Sequence, residues 1–239
     1  MIDYIKHTFR STYTKICLVF FVVAFVLSVY GSYMNDVWVE IFYLASFIAL
    51  FFSYNHRRNK TPILFYLVYF ISIVTDGLLI YDYRALESLI LFMYTGVFLG
   101  MILFSIIEFK PFRPEPIDWL SLLIIYSFIL WLIYYMFQIS QHLGLPWRID
   151  YSVYTIVLAI FSIISYTHYT GKSYKASLWL ALSSAFAIMA GVIYFIYEYS
   201  ISTYFVKLFY TIFHFLWFFA ILNYIKERRT TNKLRFFGV

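Results

Sequence analysis

Residues 62–83, PILFYLVYFISIVTDGLLIYDY, are long and apolar enough to cross a bilayer, yet they carry Asp76. A carboxylate in hydrocarbon is costly, so when one is present it faces a protein interior with a partner or a task. That stretch points to helices packed around polar groups inside a membrane. Composition agrees with it. The chain is 63% hydrophobic and 13% charged, with mean hydropathy +0.79, whereas a soluble domain carries roughly 25% charged residues.

A spanning helix needs about 20 mostly apolar residues. Eight segments meet that test: 13–32, 37–54, 62–82, 86–108, 117–138, 152–170, 173–197 and 201–225. The breaks between them have chemical reasons. Residues 54–61 (YNHRRNKT) are basic and lead into Pro62, a residue suited to a first helical turn. Pro111, Pro114 and Pro116 cannot all sit in a helix interior. Gly144 and Pro146 mark a later turn, and residues 197–202 form the least polar break. The expected fold is therefore all-α, a polytopic transmembrane bundle forming one integral membrane domain, with a basic tail at 226–239. No stretch outside the segments approaches the roughly 40 residues that a small independent domain needs. A kinase, nucleotide-binding or nucleic-acid-binding head is excluded within this chain. The basic start followed by a long apolar run reads as a first span and not as a removed signal peptide. The single Cys17 forbids an intrachain disulfide.

Charge sets an expected orientation. With the N-terminus cytoplasmic, every Lys and Arg falls on that side except Arg84, Arg148 and Lys207. Short loops rich in Lys and Arg stay cytoplasmic, so both termini are expected there. The acids show the reverse bias: Asp36, Glu40, Asp82, Glu87, Asp150 and Glu198 gather at the outer helix ends. Asp76 lies roughly 9 Å deeper than Asp82, at 1.5 Å per residue. Counting from Ile201 puts Lys207 at a similar depth. The outer half is thus expected to hold a pocket with Asp76, Glu87, Glu198 and Lys207, ringed by Tyr81, Tyr83, Tyr194, Tyr197 and Tyr204.

Each residue has a plainer alternative. Asp76 is either an acid with chemistry or a register pin bonded to a hydroxyl or to Lys207. A buried ion pair is weak evidence of stability, because desolvation offsets its attraction. Lys207 can snorkel to the interface. Glu87 and Glu198 lie close enough to helix ends to be solvated. His214 lies well inside a span but has no second histidine at i+3 or i+4, and it reads as a packing residue. His168 and His56 are expected on the cytoplasmic side, so no metal site and no cofactor are expected. Gly96 and Gly100 form a GxxxG, and residues 176–191 are dense in Ala and Ser, both signals for close helix packing. Nucleophile-elbow, P-loop and HExxH signatures are absent.

The length, the eight expected helices and the run Thr75-Asp76-Gly77-Leu78-Leu79 late in the third span together resemble the YhhN-type lysoplasmalogenases. The seventh span ends Gly191 to Glu198 with Glu where that family carries Ser-Asp, and Phe209-Tyr210-Thr211 stands where it carries Tyr-x-x-Ala-Gln. The resemblance implies hydrolysis of a lipid vinyl ether, with Asp76 as general acid/base and Glu198 positioning water. It gives Lys207 an anionic headgroup, with Glu87, Tyr194 and Tyr81 as further substrate contacts. Two other classes stay open. One is a non-catalytic membrane subunit or scaffold with membrane-protein partners, and the other a proton-coupled transporter or sensor. A retinal protein is a remote fourth. The lipid bilayer is the expected partner, nucleic acid is not, and compactness points to a bacterial inner membrane.

Overall fold

A computed structural model describes residues 63–108, 115–142, 149–172 and 175–236, with isolated helical positions between 19 and 30 and between 44 and 51. The expected spans 13–32 and 37–54 fall largely outside the described residues, as do residues 237–239. All regular structure among the described residues is helical: α1 (Ile63–Glu108), α2 (Pro116–His142), α3 (Ile149–Lys172), α4 (Lys175–Tyr199) and α5 (Tyr204–Phe236). All five are long and apolar enough to cross a membrane, which makes the chain a multi-pass integral membrane protein.

α1 has 46 residues. Straight, it would run roughly 69 Å at 1.5 Å per residue, over twice the roughly 30 Å hydrocarbon core. It does not run straight. Asp82 leaves the helix (φ −161°, ψ 95°), and its carboxylate accepts a 3.1 Å hydrogen bond from the Ala85 amide, capping the helix that follows. The chain folds back there. Phe65 meets Phe104 at 6.1 Å, Asp76 meets Tyr94, and Gly100 lies on Val68. α1 is thus an antiparallel hairpin with arms at 63–81 and 83–108.

α2 opens on a reciprocal cap: the Glu115 amide donates to Asp118 Oδ2 at 2.9 Å, with Pro116 in the first turn. The helix packs chiefly on α3, joined by a Tyr126–Thr167 hydroxyl contact, and most of its surface faces outward. α4 and α5 pack most intimately. The buried Ala176, Ser177, Ala181, Ser183, Ser184 and Ala187 let the two backbones approach. Interior hydroxyls are satisfied within their own helices: Ser72, Thr95 and Ser105 each donate to the carbonyl four residues earlier. In hydrocarbon no water could do this for them. The core is aromatic, with Phe47, Phe104, Phe161, Phe215 and Phe218 fully buried.

The two GxxxG glycines differ, and that difference is testable. A methyl at Gly100 would overlap the Val68 side chain, whereas nothing lies within 4 Å of one at Gly96. Gly100→Ala is expected to destabilise the protein by about 1–3 kcal/mol and Val68→Ala to restore most of the loss. Gly96→Ala should be neutral or slightly stabilising. Thermal unfolding of the purified variants in detergent measures all three.

Candidate functional site

Three layers of polar side chains lie at the end of the bundle where the Asp82 turn, the start of α3 and the α4–α5 turn meet. The outermost joins Arg84 to Glu198, with Nε to Oε2 at 3.9 Å. Arg84 is exposed, while the Glu198 side chain is 16% exposed. Tyr194 hydrogen-bonds Glu198, and the Lys207 ammonium attracts it as well.

The second layer is built on Glu87, which is buried and not solvated. The hairpin turn sets Glu87 one helical turn below the solvent edge, and the ends of α3 and α4 close over it. Three tyrosines from three helices reach a single oxygen. Tyr83 donates to Glu87 Oε1 at 2.9 Å, and Tyr151 and Tyr199 donate to the same atom. Tyr151 also bonds Tyr83 at 3.0 Å and Tyr199 at 2.7 Å. An ionised carboxylate accepts only, and each phenol has one proton to give. Three protons therefore serve five contacts, so that with all three given to Glu87 the two Tyr–Tyr contacts have none.

The deepest layer is Asp76, 2% exposed. Tyr94 donates to its Oδ1 at 2.5 Å. His214 presents Nε2 to the same oxygen at 3.3 Å, an approach not aligned as a hydrogen bond, and Oδ2 has no partner. His214 Nδ1 is 3.0 Å from the Tyr210 hydroxyl, and its ring stacks on Trp217 at 5.5 Å and 15°. α1 and α5 are thus joined by a chain running Tyr94–Asp76–His214–Tyr210. Each phenol of the chain has one contact within it, Tyr94 with Asp76 and Tyr210 with the imidazole Nδ1, while Nε2 makes no hydrogen bond among the described residues.

A cleft with about 70 Å³ of space open to a water-sized solute lies over this chain. Tyr94, His214, Tyr210 and Trp217 form its deep end, Tyr83, Tyr151 and Tyr194 its upper wall, and Leu79, Ala187 and Gly191 its apolar sides. Asp76 stands behind His214, so the imidazole and two phenols meet the cavity while the carboxylate does not line it. Among the described residues no three His, Cys, Asp or Glu side chains gather as a metal set.

The predicted residues are therefore divided among the layers. Of the two partners weighed for Asp76, a hydroxyl and Lys207, the structure shows the hydroxyl, that of Tyr94. Asp76 takes Tyr94 and His214, and Lys207 lies nearer the rim, acting on Glu198. Tyr81 is 82% exposed and points away from the cavity, because the break at Asp82 turns it and Tyr83 to different sides. Tyr194 is in the cavity wall, edge-on to Tyr83 and tilted against Tyr210, with ring centres 4.8 Å from each. Glu198 sits one turn above Tyr194 and His214 one turn below Tyr210. Roughly 11 Å, two turns, thus separates Glu198 from the Asp76 layer. Sequence reasoning missed His214, Tyr94, Tyr210 and Tyr151. The available signal was Tyr210 and His214 at i, i+4, one face of one helix.

Each tyrosine of the Glu87 cluster donates a charge-assisted bond worth about 1.5–3 kcal/mol. Tyr151→Phe is expected to cost more than Tyr83→Phe or Tyr199→Phe, because Tyr151 touches every other member. A cycle of Tyr151→Phe with Glu87→Gln should be non-additive by about 0.5–3 kcal/mol. Reversible unfolding in mixed micelles measures it.

Comparison with known protein families, with curated proteins and with solved structures finds no match.

Proposed function

We propose that this chain is an intramembrane hydrolase of an amphiphile that carries an acid-labile bond, the vinyl ether of a lysolipid being the leading substrate. One observation supports this above all: a buried carboxylate–imidazole pair at 3.3 Å behind a largely apolar cleft. Vinyl-ether hydrolysis needs a proton placed on carbon, then water. In its protonated form, imidazolium beside carboxylate, the buried Asp76–His214 pair supplies that proton from the cavity-facing His214, and Tyr94 and Tyr210 hold the pair in place by hydrogen bonds to Asp76 and His214. The proton passes to the outer alkene carbon and leaves an oxocarbenium ion. Water adds to the oxygen-bearing carbon and returns its proton to the pair, and the hemiacetal breaks into an aldehyde and an alcohol. General acid–base catalysis of this kind contributes about 10²–10⁴-fold.

The resemblance to lysoplasmalogenases supports the same class and gives Asp76 the same role. Glu198, two turns higher, belongs with Arg84 and Lys207 at the mouth, where the two cations suit an anionic headgroup. The acidic end, with Asp82, Glu87, Asp150 and Glu198, is the outer one by the positive-inside rule. That gives eight spans, cytoplasmic termini and access from the outer leaflet of a bacterial inner membrane.

A second reading is a subunit of a larger membrane complex, and α2 favours it. α2 packs chiefly on α3 and shows an outward stack of Phe128, Trp131 and Tyr135. Stoichiometric co-purification of another membrane protein, lost in Trp131→Ala, would support that reading.

The purified protein is expected to release aldehyde from a vinyl-ether lysolipid. Asp76→Asn and His214→Gln should each lower kcat by about 10²–10⁴-fold while the folded fraction is unchanged. Full activity in both variants removes the acid chemistry.

A further inference from the structure

The cavity over Asp76 and His214 has a neighbour. A shallow groove with about 80 Å³ of space open to a water-sized solute runs over α3 between α2 and α4, with Ile129 and Ile133 on one side, Leu158 beneath, and Ile188 and Val192 on the other. The two spaces share Tyr151, Tyr154, Gly191 and Phe195. One wall therefore separates them, and it is thin. Tyr154 rests against Phe98 at 5.8 Å, and its hydroxyl makes no hydrogen bond among the described residues. That hydroxyl lies 3.0 Å from where a side chain at Gly191 would begin. Packing alone holds the ring, and only glycine leaves it room.

The chemistry on the two sides differs sharply. The imidazole and the acid-linked phenols face the first cavity. Beyond Tyr151 and Tyr154, the groove offers Thr155 and otherwise hydrocarbon. A wholly polar solute would leave the groove uncovered, and a wholly apolar one would leave the cavity's hydroxyls and imidazole without partners. A molecule with one polar end and one long chain matches both. Resting on the amphiphile reading of the first cavity, we infer that the groove is the chain-binding arm of the same site. The pair Gly191–Tyr154 is the doorway its hydrocarbon chain passes and sets how bulky a chain enters.

Photolabelling of the full chain in phosphatidylcholine nanodiscs tests this without reading turnover. A lysolipid with a diazirine at its chain end is compared with a two-chain phosphatidylcholine carrying the same group. The lysolipid should label Ile133, Ile188 and Val192 about tenfold or more over the outward-facing Phe92 and Leu99, a ratio that the two-chain lipid does not show. Gly191→Leu should abolish groove labelling. If that variant does not fold, Ile133→Trp fills the groove from the peripheral α2 and should do the same. Equal labelling of the groove by both lipids is the signature of bulk lipid and overturns the proposal, as does groove labelling that survives Gly191→Leu or Ile133→Trp. Absent hydrolysis would leave a positive labelling result standing. Absent groove labelling would leave the acid chemistry to be judged by turnover.

Discussion

In hydrocarbon no water is at hand to satisfy a polar group, so each must find its partner inside the protein. At Asp76 that requirement is most severe, because an unpaired buried carboxylate is far costlier than an unpaired hydroxyl. The answer here uses both arms of the α1 hairpin and the middle of α5: Tyr94 from one, His214 from the other. Packing follows from it. His214 stacks on Trp217, Trp217 meets Phe98, and Phe98 meets Tyr154. The pair that fixes α1 against α5 thereby fixes the cavity wall as well.

The same constraint orders the site by depth. Charges that reach water sit at the rim, where Arg84 and Glu198 meet loosely. One turn in, Glu87 accepts from three phenols, those of Tyr83, Tyr151 and Tyr199. Deeper still, Tyr94 donates to Asp76 and the His214 ring lies beside the same oxygen.

Much of this order was written in the chain, though not all of it. The hairpin break was visible at residues 81–86, where Asp82, Arg84 and Glu87 interrupt apolar sequence. The small residues of 176–191 announced the close α4–α5 contact. Helix rotation was not legible, so Tyr81 and Tyr83 looked equivalent although Asp82 sends them apart. Depth was misread by counting from helix ends as if they lay in one plane. Tyr83 meets Tyr194 edge-on, and Tyr194 meets Tyr210 at a tilt, so Tyr210 is close to the level of Tyr83. The first residue of α5, Tyr204, therefore stands roughly 9 Å higher, six residues at 1.5 Å each. Counting from Ile201 set Lys207 level with Asp76 as one possible partner, whereas the fold sets His214, two turns further in, beside it.

Which residue answers Asp76 is therefore the point on which the account stands. The direct measurement is a pair of double-mutant cycles on unfolding free energy in mixed micelles, Asp76→Asn with His214→Gln and Asp76→Asn with Lys207→Met. Residues in contact couple by about 0.5–3 kcal/mol, and distant ones add within about 0.5. A large coupling to His214 with additivity at Lys207 is the expected result. Coupling to Lys207 with additivity at His214 would contradict it, and with it the cavity, its floor and the chemistry proposed there.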